Sequence, residues 1–304
     1  MTTVIAVDRL TRRFGRRRGV EDVTFEVAEG EIFGFLGPNG AGKSTTIRML
    51  LGLYRRTSGT ATVFGLDAAT QAARIHDRTG YLPGELTLFP KLTGREHLDR
   101  FGKLQGARDR RYRDELVERF GVELDRPVRM LSKGNAQKIG VVMAFGHRPD
   151  LLVLDEPTSG LDPLLQDEFV KLVRETTAEG RTVFLSSHDL DEVQRLADRV
   201  SIIKEGRLVV TDTVADLRRS APSTVEFRFD RTVDAGSFAD LDGVRVVSAA
   251  ADGVVLSVAG SVAPLLRVAA ELEPVEMSAR GADLDELFLG YYRDDSSQED
   301  AHVD

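Results

Sequence analysis

The sequence predicts an α/β protein in which helices cover both faces of a parallel sheet, followed by a small α+β domain. Short β-rich runs alternate with helical patterns over about the first 215 residues, and this alternation is typical of a parallel sheet. After the Ala-Pro-Ser sequence at residues 221–223 the pattern changes to short strands with two helices. The charge changes at the same point, because residues 220–304 carry 6 basic and 17 acidic side chains, against 35 and 32 before them.

The individual elements follow from apolar runs, helical spacing and glycine-rich or polar breaks. In the first part we predict strands at residues 23–27, 31–36, 60–64, 151–154, 182–186 and 200–203, and helices at residues 42–51, 95–104, 111–120, 133–146, 163–177 and 189–197. In the second part we predict strands at residues 224–229, 244–248, 254–258 and 275–277, and helices at residues 262–272 and 284–292. The predicted domains are therefore residues 1–219 and 220–293, followed by an acidic, disordered tail at residues 294–304.

The composition excludes several classes of protein. With 41% hydrophobic and 30% charged residues, the 304-residue chain has the composition of a globular protein. It has no cysteine, which excludes a disulfide scaffold and any cysteine-ligated zinc or iron–sulfur site. The longest apolar run, residues 139–146, is far shorter than the ~20 residues of a membrane span, and the first residues do not resemble a signal peptide. The cytoplasm is the expected compartment. Neither part has the basic excess of a nucleic-acid-binding domain, so no nucleic-acid partner is predicted.

A phosphate-binding motif, G-x-x-x-x-G-K-[ST], lies between a predicted strand and a predicted helix. Its residues, which we call the phosphate loop, are Gly37, Pro38, Asn39, Gly40, Ala41, Gly42, Lys43, Ser44 and Thr45. Glycines let successive backbone N–H groups point at phosphate oxygens, and the helix N-terminus adds partial positive charge. Lys43 can place its ammonium on the β- and γ-phosphates, and the Ser44 hydroxyl can ligate Mg²⁺. The loop alone leaves kinase, GTPase and ATPase open.

Two carboxylates follow the apolar strand at residues 151–154. Asp155 at the strand end can contribute to a Mg²⁺ site, and Glu156 can polarise an attacking water as general base. Taken in isolation, the same residues could be a buried strand followed by a solvated acidic turn.

Three further segments do not indicate a function when each is considered alone. Ser132 and Gly134, within Leu131-Ser132-Lys133-Gly134-Asn135 (the signature segment), lie where a helix is predicted to begin, which suits either an anion site or an ordinary N-cap. The Ser-Gly-Leu-Asp sequence at residues 159–162 follows the acidic pair closely. His188 ends a predicted strand, where a single histidine is more often structural. The other four histidines show no ligand spacing and are expected at the surface: His76, His97, His147 and His302.

In this order and spacing, these five motifs resemble the ATP-binding subunit of an ABC transporter over about residues 3–215. The segments LSKGNAQK, LDEPTSGLDP and SSHDLDEVQRLADRV are similar to those of the ABC-2 type export branch, whose members include drug and antibiotic exporters. The resemblance implies a P-loop NTPase fold of ABC type with a helical subdomain. It also implies ATP hydrolysis coupled to transport through a separate integral-membrane permease, at the cytoplasmic face of the membrane.

In this family two subunits dimerise head to tail and enclose two ATP molecules. The resemblance therefore implies a second copy of the chain, with ATP and Mg²⁺ as the bound groups. It implies that Phe14 stacks on adenine, that residues 39–45 hold the phosphates, and that Ser44 and Asp155 serve the Mg²⁺ site.

The resemblance assigns the remaining motif residues to catalysis and to the dimer. Glu156 corresponds to the catalytic base, and His188 to the histidine that contacts the γ-phosphate. Ser132 and Gly134 correspond to residues that reach the γ-phosphate bound by the other subunit. Asp162 corresponds to a loop that crosses the dimer interface.

The sequence departs from the family pattern at two places. The signature segment has Lys133 and Asn135 where glycine and glutamine are usual. Gly84 stands where the family usually has a glutamine that touches Mg²⁺ and the attacking water, and Glu85 follows it. We expect water to fill the missing ligand position and Glu85 to stay outside the metal's ligand shell. The apolar residues that come next would contact the permease: Leu86, Leu88 and Phe89.

Two alternatives to a transporter subunit come from different functional classes. The first is a soluble ATPase of the same family that acts on ribosomes or DNA, although such proteins usually carry two ATP-binding domains or long insertions. The second is a regulatory protein that holds ATP without turnover, which the intact Lys43, Asp155, Glu156 and His188 argue against.

Overall fold

The chain is described by a computed structural model that covers residues 2–15, 17–104 and 110–281. It divides into two compact units, Met1–Asp212 and Thr213–Asp304, so the division falls a few residues before the predicted boundary after residue 219. The helix predicted at residues 284–292 and the tail predicted at residues 294–304 lie outside the described residues.

The first unit contains both strands and helices. Its strands are β1 (Thr3–Phe14), β2 (Arg17–Ala28), β3 (Ile32–Leu36), β4 (Ser58–Val63), β5 (Leu66–Asp67), β6 (Thr79–Leu82), β7 (Leu151–Asp155), β8 (Thr182–Ser187), β9 (Arg199–Lys204) and β10 (Arg207–Thr213). Its α-helices are α1 (Lys43–Leu50), α2 (Ala72–His76), α3 (Gly94–Leu104), α4 (Arg110–Arg119), α5 (Lys133–Phe145), α6 (Pro163–Ala178) and α7 (Leu190–Leu196), and a 3₁₀ turn spans Val128–Met130.

A six-stranded sheet of order β10-β9-β3-β8-β7-β6 forms the centre of this unit. Strand β3 pairs in parallel with β8 and β9, and β7 pairs in parallel with β6 and β8. Leu36 is level with Ser187 across one pair, and Asp155 is level with Ser186 across another. The carboxyl ends of β3, β7 and β8 therefore meet at one edge, which brings together the phosphate loop, the acidic pair and His188. The predicted α/β class is confirmed.

A second sheet makes the prediction of one parallel sheet incomplete. The strands expected at residues 23–27 and 60–64 are β2 and β4, and both pair antiparallel with β1 in a sheet of order β2-β1-β4-β5. The hairpin between β1 and β2 turns at Gly15, whose φ of 60° suits glycine. Phe14, which lies outside the predicted strands, is the last residue of β1.

Aromatic packing joins the two sheets of the first unit. The ring of Phe25 on β2 stacks on Phe33 of β3 with centroids 5.4 Å apart, and on Phe184 of β8 at 5.9 Å. All three rings are buried, and each contributes about 1.5–3 kcal/mol through the hydrophobic effect. This core holds β3 and β8 in place, and with them the loops at their carboxyl ends.

Helices α3, α4 and α5 pack against one another beside the parallel sheet, where a helical subdomain was expected. Helix α5 is apolar on most sides and largely buried. Arg119 at the end of α4 donates to Glu168 at 2.5 Å and to Glu175 at 2.5 Å, both on α6. No helix in the described part of the chain has both the length and the hydropathy needed to cross a membrane.

The second unit begins with α8 (Val214–Ser220) and continues as β11 (Ser223–Arg228), α9 (Gly236–Ala239), β12 (Val244–Ala250), β13 (Gly253–Val258), α10 (Ala263–Leu272) and β14 (Glu276–Arg280). The four strands form an antiparallel sheet of order β12-β13-β11-β14. After α8, this succession and strand order are those of a ferredoxin-like unit. Phe227 and Phe238, with stacked rings 6.0 Å apart, lie in its core.

Candidate nucleotide-binding and catalytic site

The phosphate loop connects β3 to α1 at the carboxyl edge of the parallel sheet. Gly40 and Gly42 have φ values of 83° and 114°, which non-glycine residues rarely adopt. The sequence also needs glycine for space, since a Cβ at Gly37 would lie 2.3 Å from the carbonyl oxygen of Ile203. Helix α1 begins at Lys43, so the backbone N–H groups of its first turn face the loop.

Lys43 is only 5% exposed and bridges the loop to the acidic pair. Its Nζ donates to the carbonyl oxygens of Gly37 at 2.7 Å and Pro38 at 3.2 Å. It also lies 3.3 Å from Oε1 of Glu156. A buried ammonium held by three oxygens is placed to exchange one of them for a phosphate oxygen.

Asp155 and Glu156 follow β7 but have different surroundings. Asp155 is 4% exposed, and the hydroxyl of Ser186 on the neighbouring strand donates to its Oδ1. Glu156 has a φ of 49°, and its backbone N–H donates to the carbonyl oxygen of Ser186 at 3.0 Å. Because of this turn, the carboxylates of Asp155 and Glu156 point in different directions.

His188 contacts the second oxygen of Glu156. Its Nδ1 lies 3.2 Å from Oε2, while Oε1 faces Lys43. The imidazole is about half exposed, at 53%. One carboxylate is therefore held between an ammonium from the phosphate loop and an imidazole from the end of β8.

Phe14 lies beside the phosphate loop. A cavity of about 190 Å³ is lined by Phe14, Gly19, Asn39, Gly40, Gly42, Lys43, Ser44, Thr45 and Glu156. Phe14 is 38% exposed and contacts Tyr54 edge-on at 5.7 Å, and the guanidinium of Arg12 lies 4.8 Å above its ring. The cavity thus joins an accessible aromatic ring to the phosphate loop, as expected for a nucleotide site.

Ser132 and Gly134 are absent from the lining of this cavity. Ser132 is the N-cap of α5, and its Oγ accepts from the backbone N–H of Asn135 at 3.1 Å. Asn135, where the family usually has glutamine, is buried and makes two hydrogen bonds with the backbone of Glu123, at 2.9 and 3.0 Å. The amide therefore fixes the start of α5.

The signature segment contacts residues 157–160 of the same chain. The Nζ of Lys133 donates to Ser159 Oγ at 3.3 Å, and a Cβ at Gly134 would lie 2.8 Å from the carbonyl oxygen of Gly160. Gln137, one turn further on, donates to the carbonyl oxygen of Pro157 at 3.0 Å. Asp162 then caps α6 by accepting from the N–H of Leu165 at 3.1 Å. This segment links the acidic pair to the signature segment.

Gly84 lies against Asp155. A Cβ at Gly84 would be 3.5 Å from Oδ2 of Asp155 and 3.2 Å from its carbonyl oxygen. Glu85 is exposed. The departure from the family pattern is therefore located beside the carboxylate that is assigned to Mg²⁺.

Glu192, which was not among the predicted site residues, lies near them. Burial raises the pKa of Glu192, and the carboxylates of Asp189 and Glu156 act in the same direction. Its Oε1 is buried and accepts no hydrogen bond from any residue that the structure describes. No local sequence signal marks Glu192, because the groups that surround it are brought together by the fold. His97, which was expected at the surface, is 1% exposed. A single histidine outside a recognisable motif gives no sequence signal for burial.

This geometry agrees with the comparisons to known proteins. A family model described as ABC transporter matches residues 20–159. The chain is 36% identical to the daunorubicin/doxorubicin resistance ATP-binding protein DrrA of Streptomyces peucetius, over 99% of this chain and 96% of that protein. It is 38% identical to the bacitracin transport ATP-binding protein BcrA of Bacillus licheniformis, over 75% of this chain and 76% of that protein.

A solved structure has the same fold. It is described as the ATP binding subunit of an ABC transporter and is 32% identical, with a TM-score of 0.66, over 71% of this chain and 92% of that one. The chain therefore belongs to the ABC transporter family, as one of its ATP-binding and ATP-hydrolysing subunits.

Proposed function

We propose that this chain works as a homodimer that encloses two ATP molecules with Mg²⁺ and drives a separate membrane subunit from the cytoplasmic face of the membrane. The exported compounds would be amphipathic and antibiotic-like. The observation that carries the proposal is the position of Glu156, which lies between Lys43 of the phosphate loop and His188. No other carboxylate among the described residues pairs with Lys43.

The donor set beside the phosphate loop fits Mg²⁺. Mg²⁺ is usually bound by one or two protein oxygens together with waters and substrate phosphates. Ser44 offers a hydroxyl in the first turn of α1, and Asp155 offers a buried carboxylate nearby in the same sheet edge. Within the described residues no cluster of three acidic or histidine side chains offers a complete metal cage, so phosphates would have to complete this one. Bound Mg²⁺ would neutralise charge on the phosphates.

The residues around the phosphate loop have different roles in ATP hydrolysis. The N–H groups of the phosphate loop and the ammonium of Lys43 hold the phosphates. Glu156 then exchanges its contact with Lys43 for a water, which it orients and from which it accepts a proton. His188, 3.2 Å from Glu156, orients that carboxylate and offers its imidazole towards the γ-phosphate.

A second copy of the chain would complete the site. Ser132 and Gly134 lie outside the lining of the nucleotide cavity, and Gly134 lies against Gly160 of the same chain instead. The start of α5 nevertheless combines an N-cap serine with a glycine, which is suited to bind an anion. The anion we propose is the γ-phosphate held by the other copy.

The membrane subunit would occupy an apolar groove in the first unit. The groove, of about 550 Å³, is lined by Leu51, Leu53, His76, Asp77, Thr79, Tyr81, Phe101, Leu104 and Met143. Leu53 and Leu104 are 54% and 82% exposed, which is costly for a surface that contacts only water. An amphipathic helix from the membrane subunit is the partner of matching shape and chemistry.

The class of exported compound is inferred from relatives. Their names refer to bacitracin transport and to daunorubicin/doxorubicin resistance, and a further relative from Bacillus subtilis, 34% identical over 70% of each chain, is named for linearmycin resistance. These names support the export of an amphipathic antibiotic.

Transport by the whole complex in inverted membrane vesicles tests this function. Glu156→Gln should lower ATP hydrolysis by about 10²–10⁴-fold, because the general base is lost, and ATP-driven uptake of daunorubicin or bacitracin should stop while ATP still binds. Glu205→Gln is a matched control, since Glu205 also has a left-handed backbone, with φ of 48°, but lies in the turn after β9. Near-normal hydrolysis by Glu156→Gln would contradict the catalytic assignment. Vesicles with the wild-type chain that take up none of the named antibiotics would contradict the proposed substrate class.

A further inference from the structure

His97 is buried beneath the segment that follows β6, in helix α3. Its Nε2 lies 2.9 Å from the backbone nitrogen of Phe89, and its Nδ1 lies 2.8 Å from the carbonyl oxygen of Thr93. A backbone N–H can only donate and a carbonyl oxygen can only accept. Nε2 is therefore the acceptor and Nδ1 carries the proton, so these two partners fix one neutral tautomer of the imidazole.

The same histidine supports the side chain of Phe89. The two rings stack with centroids 5.9 Å apart and planes at 26°. Phe89 nevertheless remains 64% exposed, whereas Leu88 before it is 8% exposed. One face of an aromatic ring is thus held by the protein while the rest is presented to the surroundings.

Other bonds hold the backbone around Phe89. The carbonyl oxygen of Phe89 accepts from Leu92 at 3.1 Å, and that of Pro90 accepts from Arg129 at 3.0 Å. Thr93 and Glu96 form a capping box at the start of α3, with bonds of 2.8 and 3.2 Å. His97 is the contact that extends from this anchored helix to the exposed aromatic residue.

We propose that His97 is a positioning residue that holds Phe89 ready to contact the membrane subunit. This inference rests on the proposed function, in which a membrane subunit binds this chain, and on the expectation from the sequence that Phe89 contacts that subunit. Binding energy at interfaces is concentrated in a few aromatic anchors, and an anchor that is already ordered loses less entropy on binding. The Nε2 acceptor orders residue 89 before the partner arrives.

Two amide substitutions separate the two bonds of the imidazole. The side chain of His97→Gln is long enough to place an acceptor near the position of Nε2, so the bond to Phe89 is kept. The shorter side chain of His97→Asn can replace only Nδ1, so Phe89 loses its acceptor. Both remove the ring, and the difference between the two variants therefore isolates the hydrogen bond.

The probe is inverted membrane vesicles from source cells that lack this chain but keep the membrane subunit. We expect His97→Asn to bind these vesicles about 2- to 10-fold more weakly than His97→Gln, which is the effect of one hydrogen bond. ATP binding and basal hydrolysis should be equal in the two variants. Hydrogen exchange at the Phe89 amide should be fast only in His97→Asn, and adding Phe89→Ala to His97→Asn should weaken binding no further than Phe89→Ala alone.

Equal vesicle binding by His97→Asn and His97→Gln would overturn the positioning role, as would equal protection of the Phe89 amide. If the wild-type chain does not bind the vesicles, the proposed function itself fails. Wild-type binding with unaffected His97→Asn overturns only the inference about His97.

Discussion

At the scale of single residues, Glu156 has both a strained backbone and the proposed role of general base. Its φ of 49° is uncommon for a residue with a side chain and costs on the order of 1 kcal/mol. The hydrogen bond to Ser186 and the contacts with Lys43 and His188 maintain this conformation. Strain of this kind persists where the surrounding structure over-determines it, often at functional sites. In this site the strained conformation directs the side chain of Glu156 away from that of Asp155.

Gly84 and Glu85 lie where the family usually has a residue that contacts Mg²⁺. Because Gly84 itself lies against Asp155 and Glu85 is exposed, we expect Glu85→Ala to leave the Mg²⁺ dependence of ATP hydrolysis nearly unchanged. Asp155→Asn is the positive control and should raise the Mg²⁺ requirement by about 10- to 100-fold, as loss of a supporting carboxylate usually does. Titration of hydrolysis with Mg²⁺ measures both. A requirement for Glu85→Ala that rises as far as that for Asp155→Asn would show that the Glu85 carboxylate serves the metal.

A site residue could be predicted from the sequence where its chemical role requires both a particular side chain and a particular position in a helix or strand. Lys43 at a helix start and Asp155 at a strand end are such cases. His97 was not predictable, since its burial depends on a backbone N–H eight residues earlier in the chain. Glu192 was missed because its surroundings come from the fold and not from a motif.

At the scale of elements, helix α5 joins the signature segment to the catalytic edge of the sheet. Its first two turns contact residues 157–160 through Lys133, Gly134 and Gln137. The start of this helix is therefore in direct contact with the segment that follows Glu156. In the proposed dimer, this contact would connect one ATP site to the other.

The segment after β6 carries Phe89, an exposed aromatic residue that we expect to contact the membrane subunit. Phe89→Ala should lower the affinity for the membrane subunit about tenfold or more, because an aromatic anchor of the proposed interface is lost, while ATP binding persists. Val209→Ala is the control, since Val209 is also exposed but lies on β10, at the opposite edge of the parallel sheet from β6. Vesicle binding and transport measure the effect. Equal behaviour of the two variants would argue against a docking role for Phe89.

Most element positions followed from periodicity, but strand partners did not. The apolar run that became β3 has the same local pattern whether its neighbours are parallel or antiparallel. Strand β1 was missed because its burial alternates irregularly and its register with β2 shifts at several points. Pairing depends on contacts between distant residues, which a local pattern does not encode.

At the scale of the whole molecule, the two units differ in architecture and in charge. A chain that ends at Arg219 keeps every strand of the two sheets of the first unit. We expect it to remain folded and to bind ATP with unchanged affinity, as measured by thermal unfolding and nucleotide titration. An insoluble product, or one that fails to bind ATP, would show that the second unit is needed to complete the first.

In the proposed dimer, each ATP site is built from two copies of the chain. Ser132→Arg damages the signature segment, and Lys43→Ala damages the phosphate loop. If sites are shared, a heterodimer of the two variants has both defects in one site and an intact second site, whereas each variant alone has two defective sites. Ser132→Arg should still bind ATP at its own phosphate loop, which controls for folding.

The ATPase rate of an equal mixture of Ser132→Arg and Lys43→Ala tests whether the two copies share their ATP sites. We expect that neither variant alone hydrolyses ATP appreciably. The mixture should recover about a quarter of the wild-type rate, since half of randomly formed two-fold dimers are mixed and each has one intact site. A mixture no more active than its separate components, or a wild-type chain that hydrolyses ATP at full rate as a monomer at high dilution, would contradict a shared site.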